Sequence, residues 1–133
     1  IDAGEFDQIR ELTREAVITM LGFELVHVGI NCDNEQEAIS TAAAFEDIFG
    51  FTKKVGNSSV FAGSFVECMK TPYLGAKGHI AVGPNFVDRA AYYLDSIGVK
   101  TIADSAKYDA NGNMVSIYLE QEIGGFAVHI VKK

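Results

Sequence analysis

The sequence predicts an α+β fold in which two tandem βαβββ units form one curved mixed sheet with helices outside, preceded by an N-terminal helix. From residue 24 onward, short apolar strands and amphipathic helices recur in the same order in the two halves of the chain. The segment 27–30, His-Val-Gly-Ile, matches the segment 79–82, His-Ile-Ala-Val, and each leads into a helix. This repeat predicts duplicated units that share one architecture.

The first predicted element is an amphipathic helix over residues 4–20. Its apolar residues recur every three or four positions with charged residues between them, and Gly22 is suited to end it. Because the strand pattern begins only after this glycine, we expect two parts. Residues 1–22 would form a separate helix, and residues 23–133 would form the sheet-containing domain.

The first unit is predicted to begin with a strand over residues 25–30. Asn34 is a favourable residue to open the helix that follows, and Gly50 is suited to stop it after Phe49. Short strands are expected near residues 51–56, 59–63 and 64–70, separated by Gly56-Asn57 and by Gly63.

The second unit is predicted to repeat this order from the strand at 78–82. Asn85 is expected to cap a helix that ends at Ile97-Gly98. Strands are then expected near residues 99–107, 114–120 and 125–131, with a hairpin turn over 109–113 and a break at Gly124-Gly125.

Composition excludes several classes of function. Eleven basic and eighteen acidic residues give a net charge of −7, which argues against a nucleic-acid partner because phosphate binding needs clustered Lys and Arg. No apolar run approaches the roughly 20 residues that span a bilayer, and the N-terminus lacks a signal-peptide layout. We therefore expect a cytoplasmic protein without a membrane partner, in which Cys32 and Cys68 stay reduced and form no metal-type spacing.

All three histidines of the chain, His27, His79 and His129, fall in predicted strands. Alternate side chains of a strand point to opposite faces, so each histidine shares its face with the residues two or four positions away. Those neighbours include at least one very small residue in every case: Leu25 and Gly29, Ala81 and Gly83, Ala127 and Val131. Small neighbours leave space above the sheet, whereas the bulky residues between them are expected to face the helices.

Glu67 lies in a fourth predicted strand, where a buried carboxylate needs a partner. Three neutral imidazoles and one carboxylate suit a divalent transition metal, Zn²⁺, Ni²⁺, Mn²⁺ or Fe²⁺, and do not suit Ca²⁺ or Mg²⁺. The alternative is structural, with histidines satisfied by ordinary hydrogen bonds in a domain that serves association.

The tandem layout, with His27 on the first strand and His79 on the fifth, resembles the vicinal oxygen chelate superfamily, which includes glyoxalase I, fosfomycin-resistance proteins and extradiol dioxygenases. The closing segment 122–131, Glu-Ile-Gly-Gly-Phe-Ala-Val-His-Ile-Val, is similar to that superfamily's final strand. The resemblance implies metal ligands on the first, fourth, fifth and eighth strands, which are His27, Glu67, His79 and His129. His129 stands where a glutamate is usual, so a potential carboxylate base is absent.

Residues 1–17, Ile-Asp-Ala-Gly-Glu-Phe-Asp-Gln-Ile-Arg-Glu-Leu-Thr-Arg-Glu-Ala-Val, resemble the last helix of the 2-keto-3-deoxy-6-phosphogluconate (4-hydroxy-2-oxoglutarate) aldolase family. That family forms a Schiff base on a barrel-strand lysine, which would lie upstream of this chain. The resemblance implies the C-terminal part of an aldolase fused to a chelate domain.

Two functions follow besides the structural alternative. The domain could be a metalloenzyme whose metal binds two neighbouring oxygens of a small oxo- or hydroxy-acid, with Ser59, Lys107 and Tyr118 orienting the anion. It could instead be a non-catalytic module that regulates or oligomerises the attached aldolase. A homo-oligomer is expected in either case, although one chain contains all four predicted ligands.

Overall fold

The computed structural model describes residues 2–133, and these form the predicted α+β architecture. The elements are α1 (Ala3–Leu21), β1 (Glu24–Asn31), α2 (Glu35–Phe49), β2 (Lys53–Val55), β3 (Ser59–Ala62), β4 (Val66–Met69), β5 (Gly78–Gly83), α3 (Val87–Ser96), β6 (Lys107–Tyr108), β7 (Met114–Tyr118) and β8 (Ala127–Val131). Within residues 2–133 the strands form one eight-stranded sheet in the order β2-β3-β4-β1-β5-β8-β7-β6. The predicted tandem βαβββ units are therefore confirmed.

The two halves of the sheet are related by an approximate twofold axis. Strands β2-β3-β4-β1 of the first half correspond to β6-β7-β8-β5 of the second, and β1 and β5 meet as an antiparallel pair at the seam. Each half contains one parallel pair, β1 with β4 and β5 with β8. The axis therefore passes through the β1–β5 seam.

Two hydrophobic clusters cover one face of this sheet. Alternate residues of β3 and β4, Val60, Ala62 and Cys68, are fully buried against Ala38 and Ala42 of α2. In the second half, Ile117 and Ile130 pack against Val87 and Ala90 of α3 and against Leu21 of α1. Burial of these alternate side chains directs the residues between them, including every histidine, to the opposite face.

Helix α1 begins and ends as the sequence predicts. Asp2 and Glu5 form a capping box at its start, and Gly22 ends it with φ 56°. Only its C-terminal end is anchored in the core, through Leu21 and Val17. Along the rest of the helix an apolar face is exposed, with Phe6, Ile9 and Leu12 each more than half accessible.

Asn85 does not cap α3 as predicted. The residue before α3 is Phe86, whose side chain donates and accepts no cap hydrogen bond. Asn85 instead contacts the end of α1: its side-chain amide donates to the Met20 carbonyl over 2.9 Å, and its backbone N–H donates to the Leu21 carbonyl over 2.7 Å. Asn85 therefore donates to carbonyls at the C-terminal end of α1, which lack partners within that helix, instead of accepting N–H groups at the start of α3.

The strand predicted over 99–107 is mostly wrong. Thr101 makes one isolated bridge to Leu119, residues 103–105 form a 3₁₀ turn, and only Lys107–Tyr108 pair with β7. The Ser105 hydroxyl donates to the Ile102 carbonyl over 2.6 Å and accepts the Tyr118 backbone N–H over 2.9 Å. This side chain replaces the backbone pairing that a continuous strand would have made.

A bulge in β1 corrects one prediction about faces. Leu25 pairs with Val82, whereas His27 pairs with Ala81, so Val26 is the extra residue in β1. Strict alternation predicted that Leu25 shares the face of His27. Because of the bulge, Leu25 lies on the other face. A Cβ on Gly83 would contact the Val26 side chain, which places Val26 beside the histidine face.

One structural observation bears on the predicted absence of a membrane partner. Within residues 2–133, every helix is too short or too polar to cross a bilayer.

Candidate metal centre

Strand register brings the four predicted ligands to the middle of the sheet face that the helices do not cover. In the first half Glu67 of β4 pairs with Gly29 of β1, and in the second half His129 of β8 pairs with Ala81 of β5. Across the seam, His27 pairs with Ala81 and His79 pairs with Gly29. Each imidazole thus lies opposite a small residue, and a Cβ on Gly29 would overlap the His79 ring.

Three of the candidate ligand atoms form a triangle. His27 Nε2, His79 Nε2 and Glu67 Oε2 are each 3.1 Å from the other two. The side chains are nearly buried, with exposed fractions of 12% for His27, 2% for His79 and 16% for Glu67. Two imidazole nitrogens and a carboxylate oxygen therefore converge on one point from three strands.

His129 completes the group but has no partner of its own. Its ring stacks on Tyr118, with centroids 4.5 Å apart, and one of its ring nitrogens lies within 4.8 Å of a ring nitrogen of His27 and of His79. Both of its ring nitrogens are buried without a hydrogen-bond partner among the described residues, as is His79 Nδ1. Burial, reinforced by the neighbouring imidazoles, lowers the pKa of His129 to about 3, so the ring is neutral at physiological pH.

Glu67 is kept ionised. Burial alone would raise its pKa, but hydrogen bonds from His27, His79 and Ser59 outweigh burial and hold the pKa well below its usual range. The Ser59 hydroxyl donates to Glu67 Oε1 over 2.7 Å, which leaves Oε2 directed at the imidazoles. Ser59 itself is buried, so its structural contact is with the carboxylate.

This donor set fits a divalent transition metal. Ligand atoms bound to one ion at about 2.0–2.1 Å are separated by roughly 3 Å, which agrees with the 3.1 Å triangle. A cation would satisfy one of the two unpartnered ring nitrogens of His129, and neutral imidazoles with one carboxylate are the ligands that such ions prefer. Ca²⁺ and Mg²⁺, which prefer oxygen ligands, do not fit.

A cavity of about 510 Å³ opens above the four side chains. Lys107 and Tyr118, two of the three residues expected to orient an anion, line this cavity, whereas Ser59 lies behind Glu67. Burial, followed by the charge of Glu67, raises the pKa of Tyr118 to about 12, so its hydroxyl remains protonated and able to donate.

Comparison with known proteins identifies the fold. No family profile matches the sequence, and no curated protein matches it significantly. Solved structures do match. Methylmalonyl-CoA epimerase from Streptomyces coelicolor, in complex with 2-nitronate-propionyl-CoA, has a TM-score of 0.58 and 19% identity over 83% of this chain and 94% of that chain.

Two further solved structures match the fold of this chain. A hypothetical protein from Bacillus halodurans C-125 has a TM-score of 0.59 at 14% identity, over 84% of this chain and 94% of its own. Methylmalonyl-CoA epimerase from Mycobacterium tuberculosis has a TM-score of 0.54 at 15% identity, over 81% of this chain and 86% of its own. The chain has the vicinal-oxygen-chelate fold. At these identities the likeness concerns the fold.

The vicinal-oxygen-chelate sheet also positions a residue that sequence reasoning missed. Tyr73, in the loop between β4 and β5, lines the cavity and packs edge-on against Tyr118 with centroids 5.6 Å apart. Asn31 holds this loop: its amide donates to the Tyr73 and Gly75 carbonyls, and its side-chain oxygen accepts the Tyr73 backbone N–H. A polar residue at the end of β1 was the available signal, but its partners are more than 40 positions away.

The two cysteines lie on the other face of this chelate fold. Cys32 and Cys68 are free and buried in the cluster beneath α2. Burial raises the pKa of Cys68 to about 11, so the thiol is protonated at physiological pH.

Proposed function

We propose that this domain binds a divalent transition metal, Zn²⁺, Ni²⁺, Mn²⁺ or Fe²⁺, through His27, Glu67, His79 and His129. The bound metal would hold a small oxo- or hydroxy-acid by two neighbouring oxygens. The single observation that carries the proposal is the 3.1 Å triangle of ligand atoms, placed beside a buried imidazole with both nitrogens unpartnered. The 510 Å³ cavity above it has room for a small acid.

When bound, the metal supplies a Lewis acid that polarises a carbonyl or hydroxyl oxygen of the ligand. The chain's own residues bind and orient. Lys107 offers a positive charge to a carboxylate of the ligand, and the Tyr118 hydroxyl offers a hydrogen bond. Glu67, held by Ser59, balances part of the metal charge.

The solved neighbours include epimerases bound to acyl-CoA ligands, and proton removal beside a carbonyl is the corresponding enzymatic reaction to consider. Such a step needs a base within reach of the ligand. Among the described residues that line the cavity, Glu67 is the only carboxylate, and both of its oxygens are engaged. This arrangement favours binding and polarisation of the ligand over epimerisation.

The second candidate is a non-catalytic module that regulates or oligomerises an attached aldolase barrel. Two observations favour it: Glu67 is not free to act as a base, and the apolar face of α1 is exposed at Phe6, Ile9 and Leu12. A helix of this composition is stabilised when its apolar face packs against another protein surface, either a preceding domain or a second copy.

Elemental analysis tests the metal proposal. Protein purified without a metal-affinity column is expected to contain close to one equivalent of transition metal, and His79→Ala is expected to lose most of it because two contacts of the triangle disappear. The matched control is Val60→Ala, an equally buried strand residue on the helix face, which should lose stability but keep its metal. Equal metal contents in the His79→Ala and Val60→Ala variants would contradict the proposal.

Turnover separates the two candidates. Metal-loaded protein is incubated with a panel of 2-oxo and 2-hydroxy acids, and binding is measured in parallel by calorimetry. Metal-dependent conversion above the buffer background identifies an enzyme. Binding without conversion identifies the module.

A further inference from the structure

We propose that the ligand carries a second anionic group, held by Lys107 and Lys132 at the β6–β8 end of the cavity. The inference rests on the proposed function and adds a substrate class to it. The class is a 2-oxo or 2-hydroxy acid with a further carboxylate or phosphate several atoms from the chelating oxygens.

The register of the sheet places Lys107 on the metal face. Lys107 pairs with Ser116 of β7, and Ser116 pairs with Val131 of β8. This row lies two residues along the strands from the row that contains Tyr118 and His129, so the two rows are separated by about 7 Å. A lysine side chain from this row reaches the cavity beside the metal ligands, and Lys107 is among the residues that line it.

Lys132 adds a second cation at the same end. It follows β8 directly, its backbone N–H donates to the Val115 carbonyl, and the residue lines both this cavity and a neighbouring groove. Asp109 lines that neighbouring groove with Lys132, and its carboxylate accepts the backbone N–H groups of Asn111 and Asn113. Within residues 2–133, neither Lys107 nor Lys132 forms an ion pair.

The first half of the sheet has no counterpart of this charge. The pair Phe61–Glu67 in β3 and β4 is equivalent to the pair Tyr118–His129 in β7 and β8. Two residues earlier in the chain, Ser59 of β3 is therefore equivalent to Ser116 of β7. The residue opposite Ser59 is Gly56, whose N–H donates to the Ser59 carbonyl. Lys107 thus stands where the repeated architecture has a glycine, so the sheet does not require a lysine there.

The charges that line the cavity are unbalanced. Glu67 is the only carboxylate among the described lining residues, against Lys107 and Lys132. A divalent metal would raise the excess to three positive charges in a partly enclosed space, where charges interact more strongly than in bulk water. A ligand with two anionic groups offsets this excess better than a monoanion, and the lysines lie where its second group would extend.

Matched ligands test the inference. 2-Oxoglutarate and 2-oxopentanoate share a five-carbon 2-oxo acid and differ only in the terminal carboxylate. Calorimetry on metal-loaded wild-type protein is expected to give about tenfold tighter binding of 2-oxoglutarate. 3-Phosphoglycerate and glycerate form a second pair that reveals whether phosphate is preferred over carboxylate. Equal affinities within both pairs would overturn the inference.

Lysine variants test whether Lys107 and Lys132 cause the preference for the ligand with two anionic groups. Lys107→Gln and Lys132→Gln are each expected to reduce the preference at least threefold, while Lys54→Gln, an exposed lysine of β2, leaves it unchanged. The same titrations in excess chelator separate this inference from the proposed function. Loss of the metal weakens both ligands of a pair, but the preference for the dianion persists because it comes from the lysines. An unchanged preference in both lysine variants would refute their role.

Discussion

Glu67 is held at both of its oxygens, by His27 and His79 at Oε2 and by Ser59 at Oε1. Residues that orient a metal ligand affect metal affinity without touching the metal. Sequence alone marks Ser59 as a polar strand residue near the site, and it suggested contact with a ligand. The hydrogen bond to Glu67 makes it a positioning residue for the carboxylate.

Ser59→Ala is therefore expected to lower metal affinity about tenfold, because Glu67 loses the contact that fixes Oε1. The measurement is competition for Zn²⁺ with a chromophoric chelator. Ser116→Ala is the control, since Ser116 occupies the equivalent place in the second half, is equally buried and pairs with no carboxylate in the described structure. If the two variants bind Zn²⁺ equally well, Ser59 does not position Glu67.

At the scale of elements, strand β1 links the candidate ligands of both halves. Its Gly29 pairs with Glu67 on one side and with His79 on the other, and the His79 ring lies directly over it. The absence of a side chain at this position leaves the space that an imidazole from the neighbouring strand occupies.

Gly29→Ala is expected to displace His79 and reduce metal affinity by tenfold or more, because the new methyl group would occupy the space of the ring. Gly4→Ala in α1 is the matched control: its Cβ would meet open space, and alanine favours a helix. Metal titration of both variants gives the comparison. A Gly29→Ala protein with wild-type affinity would show that the ring can move without consequence.

Local patterns predicted the elements that local chemistry determines. Asn34 and Gly50 bound α2 as expected, because a side-chain cap and a left-handed glycine act within a few residues. The four candidate ligands also converge as predicted, because strand alternation sets their face and the repeat sets their level in the sheet.

Predictions of local structure failed where residues distant in the sequence determine the hydrogen bonds. The side chain of Ser105 takes the Tyr118 N–H that a strand over 99–107 would have paired, and the Asn85 amide finds the end of α1 instead of its own helix. The bulge at Val26 depends on register with β5, and Tyr73 is placed by Asn31. None of these contacts lies within the window that a sequence pattern samples.

At the scale of the whole molecule, metal-free protein carries unsatisfied groups at its centre. His129 is neutral in the folded state, with a pKa of about 3 against 6.5 for a free side chain. As pH falls below 6.5 the unfolded chain takes up a proton that folded His129 does not, so stability decreases. The lowered pKa of Glu67 acts in the same direction at still lower pH, because the unfolded carboxylate is protonated first.

Urea unfolding in excess chelator is expected to show stability falling by about 1 kcal/mol per pH unit between roughly pH 6 and 4 because of His129. His129→Phe is the comparison, because phenylalanine keeps a stacked ring beside Tyr118 and takes up no proton. The variant should show a shallower dependence on pH and bind no metal tightly. Parallel pH profiles for the two proteins would contradict the role given to His129.

The approximate twofold axis relates two strand positions that carry different side chains, Glu67 in one half and His129 in the other. A perfectly symmetric centre would accept a two-armed chelator in either of two orientations with equal energy. Here the carboxylate lies on one side of the axis and the imidazole, with Lys107 beyond it, on the other. The two orientations therefore differ in energy, and an asymmetric hydroxy-acid would bind predominantly in one of them. The exchange of one side chain turns a duplicated scaffold into a site with a single preferred direction for its ligand.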